Sequence, residues 1–362
     1  MISLVLPTFN ESQNIPVLVP KILEVLKGHK AEIIVVDDNS PDHTWEVART
    51  LAAQHPELHV IRRIGRRGLS SAVIEGFLAA SGDILMVMDA DGQHDLHLLP
   101  KLAAAISQGN DVAIGSRYVS GGSVGEWDER RFALSRMATK LAQKLCTVQV
   151  ADPMSGFFAI RRKTFEAALP TLNPKGFKIL LDLLVHAPAG TKAVEMPFTF
   201  AKRQHGESKL SRRVQLEFLE YLYDVTFGRY VPMTLVKYML VGLFGVLVHL
   251  VVYLSVAMFL PATSLDVLGF SLPLSLGIEA AIIFNFILNN AWTFKEARLR
   301  GMAAFGGFCT FNVACLFGAL ANYPVTQHLL AQGAPLLLGV AIGAFVGMIW
   351  NYTMSRMLTW RI

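Results

Sequence analysis

Two carboxylates set one residue apart, Asp89 and Asp91, close the apolar run that begins at Ile84. A strand that ends this way can aim both acids at one divalent cation beyond the sheet. Mg²⁺ or Mn²⁺ takes hard oxygen ligands of this kind and shares its other positions with substrate phosphates. The Gln93 amide oxygen offers a further ligand. Taken alone, Asp91 and Gln93 would serve equally well as caps of a turn and helix. Two other apolar runs end similarly, in Pro7-Thr-Phe9-Asn10-Glu11 and in Val36-Asp37-Asp38-Asn-Ser40-Pro-Asp42. Carboxylates gathered along one edge repel one another unless a cation or hydrogen-bond donors compensate. A metal-and-nucleotide site is therefore expected there, with Pro7 and Phe9 against a base and Asp38 accepting from base or ribose.

The elements that must hold these residues are short. Ile2–Leu6, Glu32–Val36, Leu58–Ile61, Ile84–Met88 and Val112–Gly115 read as buried strands. Ile15–Leu26, Thr44–Ala53, Leu69–Ala80 and Leu96–Ser107 carry apolar faces at helical period. Such alternation predicts an α/β unit, a mostly parallel sheet with helices on both faces. Ligands in that architecture sit beyond the carboxyl ends of the strands, where the acids are.

Charge divides the 362 residues in two. From Thr234 to Ile362 there are nine charged side chains, against 52 in the preceding 233 residues. The first part suits water and the second suits lipid. The net charge of +5 splits into +2 and +3, so no basic arm points to nucleic acid. Cys146, Cys309 and Cys315 have no metal spacing. The first residues lack the basic segment and length of a signal peptide, so the first part is expected in the cytoplasm.

Ala201–Leu210 reads as a polar loop, and Arg213–Gly228 as an amphipathic helix lying in the headgroup layer or packing back onto the soluble part. Four apolar stretches follow, Thr234–Leu260, Phe270–Trp292, Ala303–Val325 and Pro335–Leu358, each long enough to cross a bilayer. Lys295, Arg298 and Arg300 lie in one connection and Arg356 and Arg361 in the tail, while the other two connections have no Lys or Arg. Both termini are thus expected in the cytoplasm of a cell (inner) membrane protein. Asn285-Phe-Ile-Leu-Asn289-Asn-Ala-Trp-Thr293-Phe294 lines up with Asn351-Tyr-Thr-Met-Ser355-Arg-Met-Leu-Thr359-Trp360, so the spans read as a duplicated two-helix unit. They resemble the GtrA-like family, four-helix proteins linked to polyprenyl-phosphate sugars.

The soluble part closely resembles family-two glycosyltransferases of the GT-A type, in the dolichyl-phosphate mannose synthase group. The matching segments are Pro7–Glu11, Asp37–Asp42, Gly68–Ser71, Met88–Gln93, Gly115–Tyr118, Gly125–Ser135, Asp152–Phe158, Gly176–Leu181 and Arg203–Lys209. The resemblance implies a metal held by Asp89, Asp91 and Gln93. It implies a nucleotide-sugar bordered by Pro7, Phe9, Glu11, Val36, Asp38, Ala90 and Lys178, with Arg203 and Lys209 in a basic loop over the diphosphate. Phe9 stands where many relatives have Tyr. Arg117, Arg131 and Ser135 fall where the family binds a lipid phosphate, and a predicted helix puts the last two on one face. Arg117 and Arg131 would position the nucleophile and Asp91 the metal. His94 and His205 read as polar bystanders.

The expected domains are a GT-A unit over 1–210, a connector over 211–232 and a membrane unit over 233–362. The expected activity is inverting transfer of mannose from GDP-mannose to a dolichyl or polyprenyl phosphate at the bilayer. UDP-glucose is the alternative donor, and a non-catalytic carrier-binding or flipping protein the alternative class. A processive synthase would show Gln-x-x-Arg-Trp, which the chain lacks. A second copy of the chain is a further partner that the sequence does not exclude.

Overall fold

The computed structural model describes residues 1–124, 129–174, 178–201, 212–259, 266–267 and 270–362. They form two compact units, Met1–Thr226 and Phe227–Ile362.

In the first unit the chain runs β1 (Ile2–Thr8), α1 (Ile15–Val25), β2 (Ala31–Asp37), α2 (Thr44–Ala52), β3 (Leu58–Arg62), α3 (Leu69–Ala79), β4 (Ile84–Val87), α4 (Leu98–Ser107) and β5 (Val112–Ser116). Then come α5 (Glu129–Gln143), β6 (Phe158–Arg161), α6 (Arg162–Ala168), α7 (Ile179–Val185), β7 (Ala193–Pro197) and α8 (Arg212–Thr226). The strands form one sheet in the order β3-β2-β1-β4-β6-β5-β7. β1 to β4 pair in parallel, as does β5 with β7, whereas β6 is antiparallel to both β4 and β5.

Side-chain alternation divides the sheet between two apolar layers. Leu4, Leu6, Ile33 and Val35 face α1, α2 and α4, whereas Val5, Ile34 and Val36 face α3 and α7. α3 comes close to the sheet at Gly76, where an added Cβ would lie 2.5 Å from Val5. The five strands and four helices expected from the sequence all stand, with ends shifted by a few residues. β6 and β7 were not anticipated, and the sheet is mixed because of β6.

α8 packs onto this unit. Phe218, Tyr221, Leu222 and Val225 turn inward, and the Tyr221 hydroxyl donates to Asp182 Oδ1 at 2.9 Å. Leu216 and Leu219 stay exposed, so the face that reaches the core is not the one marked out by Leu216 and Leu219. Asp182 also accepts from the Asn173 backbone N–H, at 2.6 Å.

The second unit holds α9 (Met233–Phe259), α10 (Leu272–Leu288), α11 (Met302–Ala331) and α12 (Leu336–Met354), with π-helical turns at Asn289–Thr293 and Ser355–Trp360. With those turns, four helices among the described residues are long and apolar enough to span a membrane. The chain crosses as two hairpins, α9–α10 and α11–α12. The duplication read at the helix ends continues inside. Gly245 of α9 and Gly318 of α11 lie where a Cβ would run into Asn285 and Asn351 respectively.

The aromatic core repeats the pattern across the hairpins. Phe286–Trp360 (5.8 Å) matches Tyr352–Phe294 (6.4 Å), and Tyr238–Tyr352 (5.5 Å) matches Phe311–Phe286 (5.8 Å). Phe294 and Trp360, themselves equivalent, stack at 4.3 Å where the repeats meet. The hairpins are related by a pseudo-two-fold arrangement of the kind seen in parallel membrane repeats.

The Tyr221–Asp182 bond sets an expectation for α8. Tyr221→Phe should cost about 1–3 kcal/mol, because it strips a donor from a buried carboxyl. Denaturant unfolding of the full chain measures the loss, and faster amide exchange confined to α8 would locate it.

Candidate active site

The carboxyl ends of β1, β2, β4 and β5 and the beginning of β6 meet at one edge of the sheet, since β6 is reversed and Phe158 pairs with both Val87 and Ile114. Of the expected residues, Pro7, Phe9, Glu11, Val36, Asp38, Asp89, Ala90, Asp91, Gln93 and Arg117 all sit at or just past these strand ends. Ser135 lies on α5 and Lys178 immediately before α7. Arg131 is in α5, four residues before Ser135, and its side chain lies outside the described residues. Arg203 and Lys209 also lie outside them.

The turn after β4 is built for two acids. Gly92 adopts φ +72°, and Asp91 Oδ1 accepts the Gln93 N–H at 3.2 Å. The Gln93 amide nitrogen donates to the Ala201 carbonyl at 2.7 Å, which leaves Oε1 as the end suited to a cation. Ala90 is buried in the core, so it can meet a ligand only through its backbone. The Asp89 side chain is 36% exposed at the cleft. These donors are hard oxygens from two carboxylates and one amide, and the set fits Mg²⁺ or Mn²⁺ with the rest of the sphere taken from phosphates and water. Among the described residues, no group of three His, Cys, Asp or Glu side chains is placed to hold an ion without such help.

The acids after β2 are neutralised differently. Asp37 accepts from the Thr8 and Ser40 hydroxyls at 2.9 and 2.6 Å and from the Ser40 N–H at 2.8 Å. Asp42 accepts the N–H groups of Ser12 and Thr44 and the Thr44 hydroxyl, and these bonds outweigh its partial burial to hold its carboxyl below the usual range. Asp38 binds Arg63 Nη1 and the Gly68 N–H, while burial, the larger influence, pushes its carboxyl up. The repulsion that suggested a cation along the whole edge is thus relieved at β2 by the protein itself. The cation argument narrows to Asp89 and Asp91.

Arg63 was not anticipated. It is almost wholly buried, reaches Ser71 at 2.6 Å and the Gly68 carbonyl at 3.1 Å, and so ties the loop before α3 to Asp38. Its neighbour Arg67 lays its guanidinium 4.1 Å above the Phe9 ring. Val36 turns its side chain into the core, so only its backbone can border a nucleotide.

Opposite Asp89 stand two cations. Arg117 forms a bidentate pair with Asp152, Nε and Nη2 each at 2.8 Å, and Asp152 also accepts the Arg117 backbone N–H at 3.2 Å. Burial alone would make the guanidinium easier to deprotonate, but Asp152 holds it charged. Glu195 on β7 in turn fixes the Ala151 and Asp152 N–H groups, at 2.6 and 3.0 Å. Lys178 donates to the Met154 carbonyl at 3.3 Å. Burial first, and the Arg117 charge second, bring its ammonium down to about 8. Tyr118 and Ser135 join hydroxyls at 2.9 Å, so α5 is tied to the loop after β5. Asp152 opens one of the matching segments, but its pairing with Arg117, and Glu195 altogether, escaped the sequence reading because they depend on β6 and β7.

The glycosyl transferase family 2 profile matches residues 3–169, and the GtrA/DPMS transmembrane domain profile matches residues 237–360. A dolichol-phosphate mannosyltransferase from Pyrococcus furiosus is 40% identical over 99% of both chains. The chain belongs to the dolichyl-phosphate mannose synthase group of family-two glycosyltransferases, with a GT-A unit joined to a GtrA-like membrane unit. A polyprenol monophosphomannose synthase from Mycolicibacterium smegmatis is 38% identical over 57% of this chain and 80% of its own. An undecaprenyl-phosphate mannosyltransferase from Micrococcus luteus is 35% identical over 57% and 86%.

Asp152→Ala should lower stability by about 3–5 kcal/mol, since it leaves the buried Arg117 charge uncompensated. Denaturant unfolding of the full chain reads this, and a cost under 1 kcal/mol would mean that the pair does not hold the site together.

Proposed function

We propose that the chain transfers mannose from GDP-mannose to the phosphate of a polyprenol or dolichol, with inversion at the anomeric carbon. The observation that carries this is the gathering of the Asp89–Asp91 turn with the half-buried Arg117 and Lys178, which feel the Asp89 charge, at one sheet edge. A full-length relative named for this activity supports the sugar and the carrier. Relatives named for polyprenol and undecaprenyl phosphate acceptors share the mannose, which favours GDP-mannose over UDP-glucose.

A phosphate monoester needs no general base, because its second pKa of about 6 leaves it largely ionised at neutral pH. Its oxygen attacks the anomeric carbon, the bond from that carbon to the β-phosphate oxygen breaks, and the electron pair leaves with the nucleoside diphosphate. Asp89, Asp91 and Gln93 would hold a divalent cation, which when bound would supply charge neutralisation for that leaving group. Lys178 adds a cation on the donor side, and the family resemblance assigns Arg203 and Lys209 to the donor diphosphate as well. Arg117 is held rigid by Asp152 and, with Arg131 and Ser135, orients the acceptor phosphate. Pro7, Phe9, Glu11, Val36 and Asp38 border the nucleotide. The chemistry belongs to residues 1–210 with 211–232 as connector, and both termini face the cytoplasm.

Incubating the membranes with radiolabelled GDP-mannose or UDP-glucose and polyprenyl phosphate, followed by lipid extraction, tests the activity. Label from GDP-mannose should enter the lipid phase and disappear with EDTA, whereas label from UDP-glucose alone would reverse the donor assignment. Metal-dependent turnover also separates an enzyme from a non-catalytic carrier-binding protein. Asp91→Ala should lower the rate about a hundredfold or more, and a wild-type rate would refute its role.

Lys178 is charged below its pKa of about 8 and neutral above it, so nucleoside diphosphate affinity should fall as pH rises through that value. Isothermal titration across pH 6.5–9.5 measures this as an order-of-magnitude comparison, and Lys178→Met should flatten the profile. An equal slope in the variant would assign the titration elsewhere.

A further inference from the structure

His94, expected to be a bystander, is enclosed at 2% side-chain exposure by Phe157, Phe198 and Phe200, with ring centroids 5.0, 5.4 and 5.6 Å away. Neither of its ring nitrogens has a hydrogen-bond partner. An imidazole kept in such a box without a bond costs free energy that a phenylalanine or leucine there would not. Its Nε2 lies 3.6 Å from Asp89 Oδ2.

The other side of that oxygen is Gly156, just before β6, where an added Cβ would stand 2.6 Å from Oδ2 and 3.3 Å from Oδ1. Of the two Asp89 oxygens, Oδ2 is therefore the one nearer Gly156 and the one that His94 approaches.

We propose that His94 is a positioning residue for Asp89, an N–H donor stored in an aromatic box that fixes the carboxylate so that Oδ1 meets the cation. The present separation is longer than a hydrogen bond, and a shift of about 0.5 Å closes it. Within apolar surroundings a donor to a carboxylate acts strongly, because water does not compete. Partners of this kind orient metal ligands and raise metal affinity without touching the ion. With its ring enclosed and Asp89 at the cleft, His94 stands behind the ligand rather than beside it. The aromatic box also accounts for Phe198 and Phe200, which lie just past β7 and for which the proposed chemistry has no other use.

The inference rests on Asp89 as a metal ligand, as proposed above. The test titrates Mn²⁺ into the full chain in detergent with GDP present, follows free Mn²⁺ by electron paramagnetic resonance, and records thermal unfolding alongside. His94→Phe should unfold near the wild-type temperature yet bind Mn²⁺ about tenfold or more weakly. His94→Gln or His94→Asn, which retain a donor, should recover part of the loss. A folded His94→Phe with wild-type affinity overturns the proposal, as does failure of both donor variants to recover any affinity. If His94→Phe does not fold, the same comparison is read between His94→Leu and His94→Gln. Asp91→Ala should abolish Mn²⁺ binding independently. Its retention would bring down the metal site and this inference together, whereas its loss beside an unaffected His94→Phe would bring down the inference alone.

Discussion

Like charge collected at one sheet edge is the constraint around which the first unit is built. Five carboxylates gather here: Asp37 ends β2, Asp38 and Asp42 follow it, and Asp89 and Asp91 follow β4. Carboxylates in such proximity disfavour one another's ionisation. The fold answers at each place with a different compensator. Hydroxyls and backbone N–H groups serve Asp37 and Asp42, and buried Arg63 serves Asp38. After β4, Asp91 accepts the Gln93 N–H while the Asp89 side chain is partly exposed and feels the charges of Arg117 and Lys178. A site for a cation and a diphosphate is what such a residual charge pattern offers.

The reversed strand β6 makes that pattern possible. Because it runs against β4 and β5, the segment from Asp152 to Phe157 enters at the edge where the parallel strands end. It brings Asp152 to Arg117, the Met154 carbonyl to Lys178, and the small Gly156 against Asp89. An all-parallel sheet would deliver a strand beginning to the opposite edge, and none of these three contacts would form. Glu195 on β7, which pairs with β5, then fixes the backbone N–H groups of Ala151 and Asp152, so Arg117 is held from two directions.

Much of this was legible in the sequence where local pattern suffices. Apolar runs flanked by acidic turns marked out β1, β2 and β4, and four long apolar stretches poor in charge marked out the spans. β6 and β7 were hidden because Phe158–Arg161 and Ala193–Pro197 are short and lie beside helices of mixed pattern. The partnership of Arg63 with Asp38 was hidden because it joins residues on two strands and depends on pairing register. The inward face of α8 was hidden because leucines lie both on it and on the exposed side, and the contact of Tyr221 with Asp182 joins residues far apart in sequence. The membrane duplication showed at the helix ends, where Asn285 and Asn351 are identical. It faded within α9 and α11, where Tyr238 and Phe311 keep the place but not the identity.

Anomalous diffraction at the manganese edge, from crystals of the full chain grown with Mn²⁺ and GDP, tests the arrangement most directly. One manganese peak is expected between the diphosphate oxygens and the carboxylates of Asp89 and Asp91, with Arg117 still paired to Asp152. A diphosphate bound at that edge with no manganese beside those two carboxylates, or manganese held elsewhere on the chain, would contradict it.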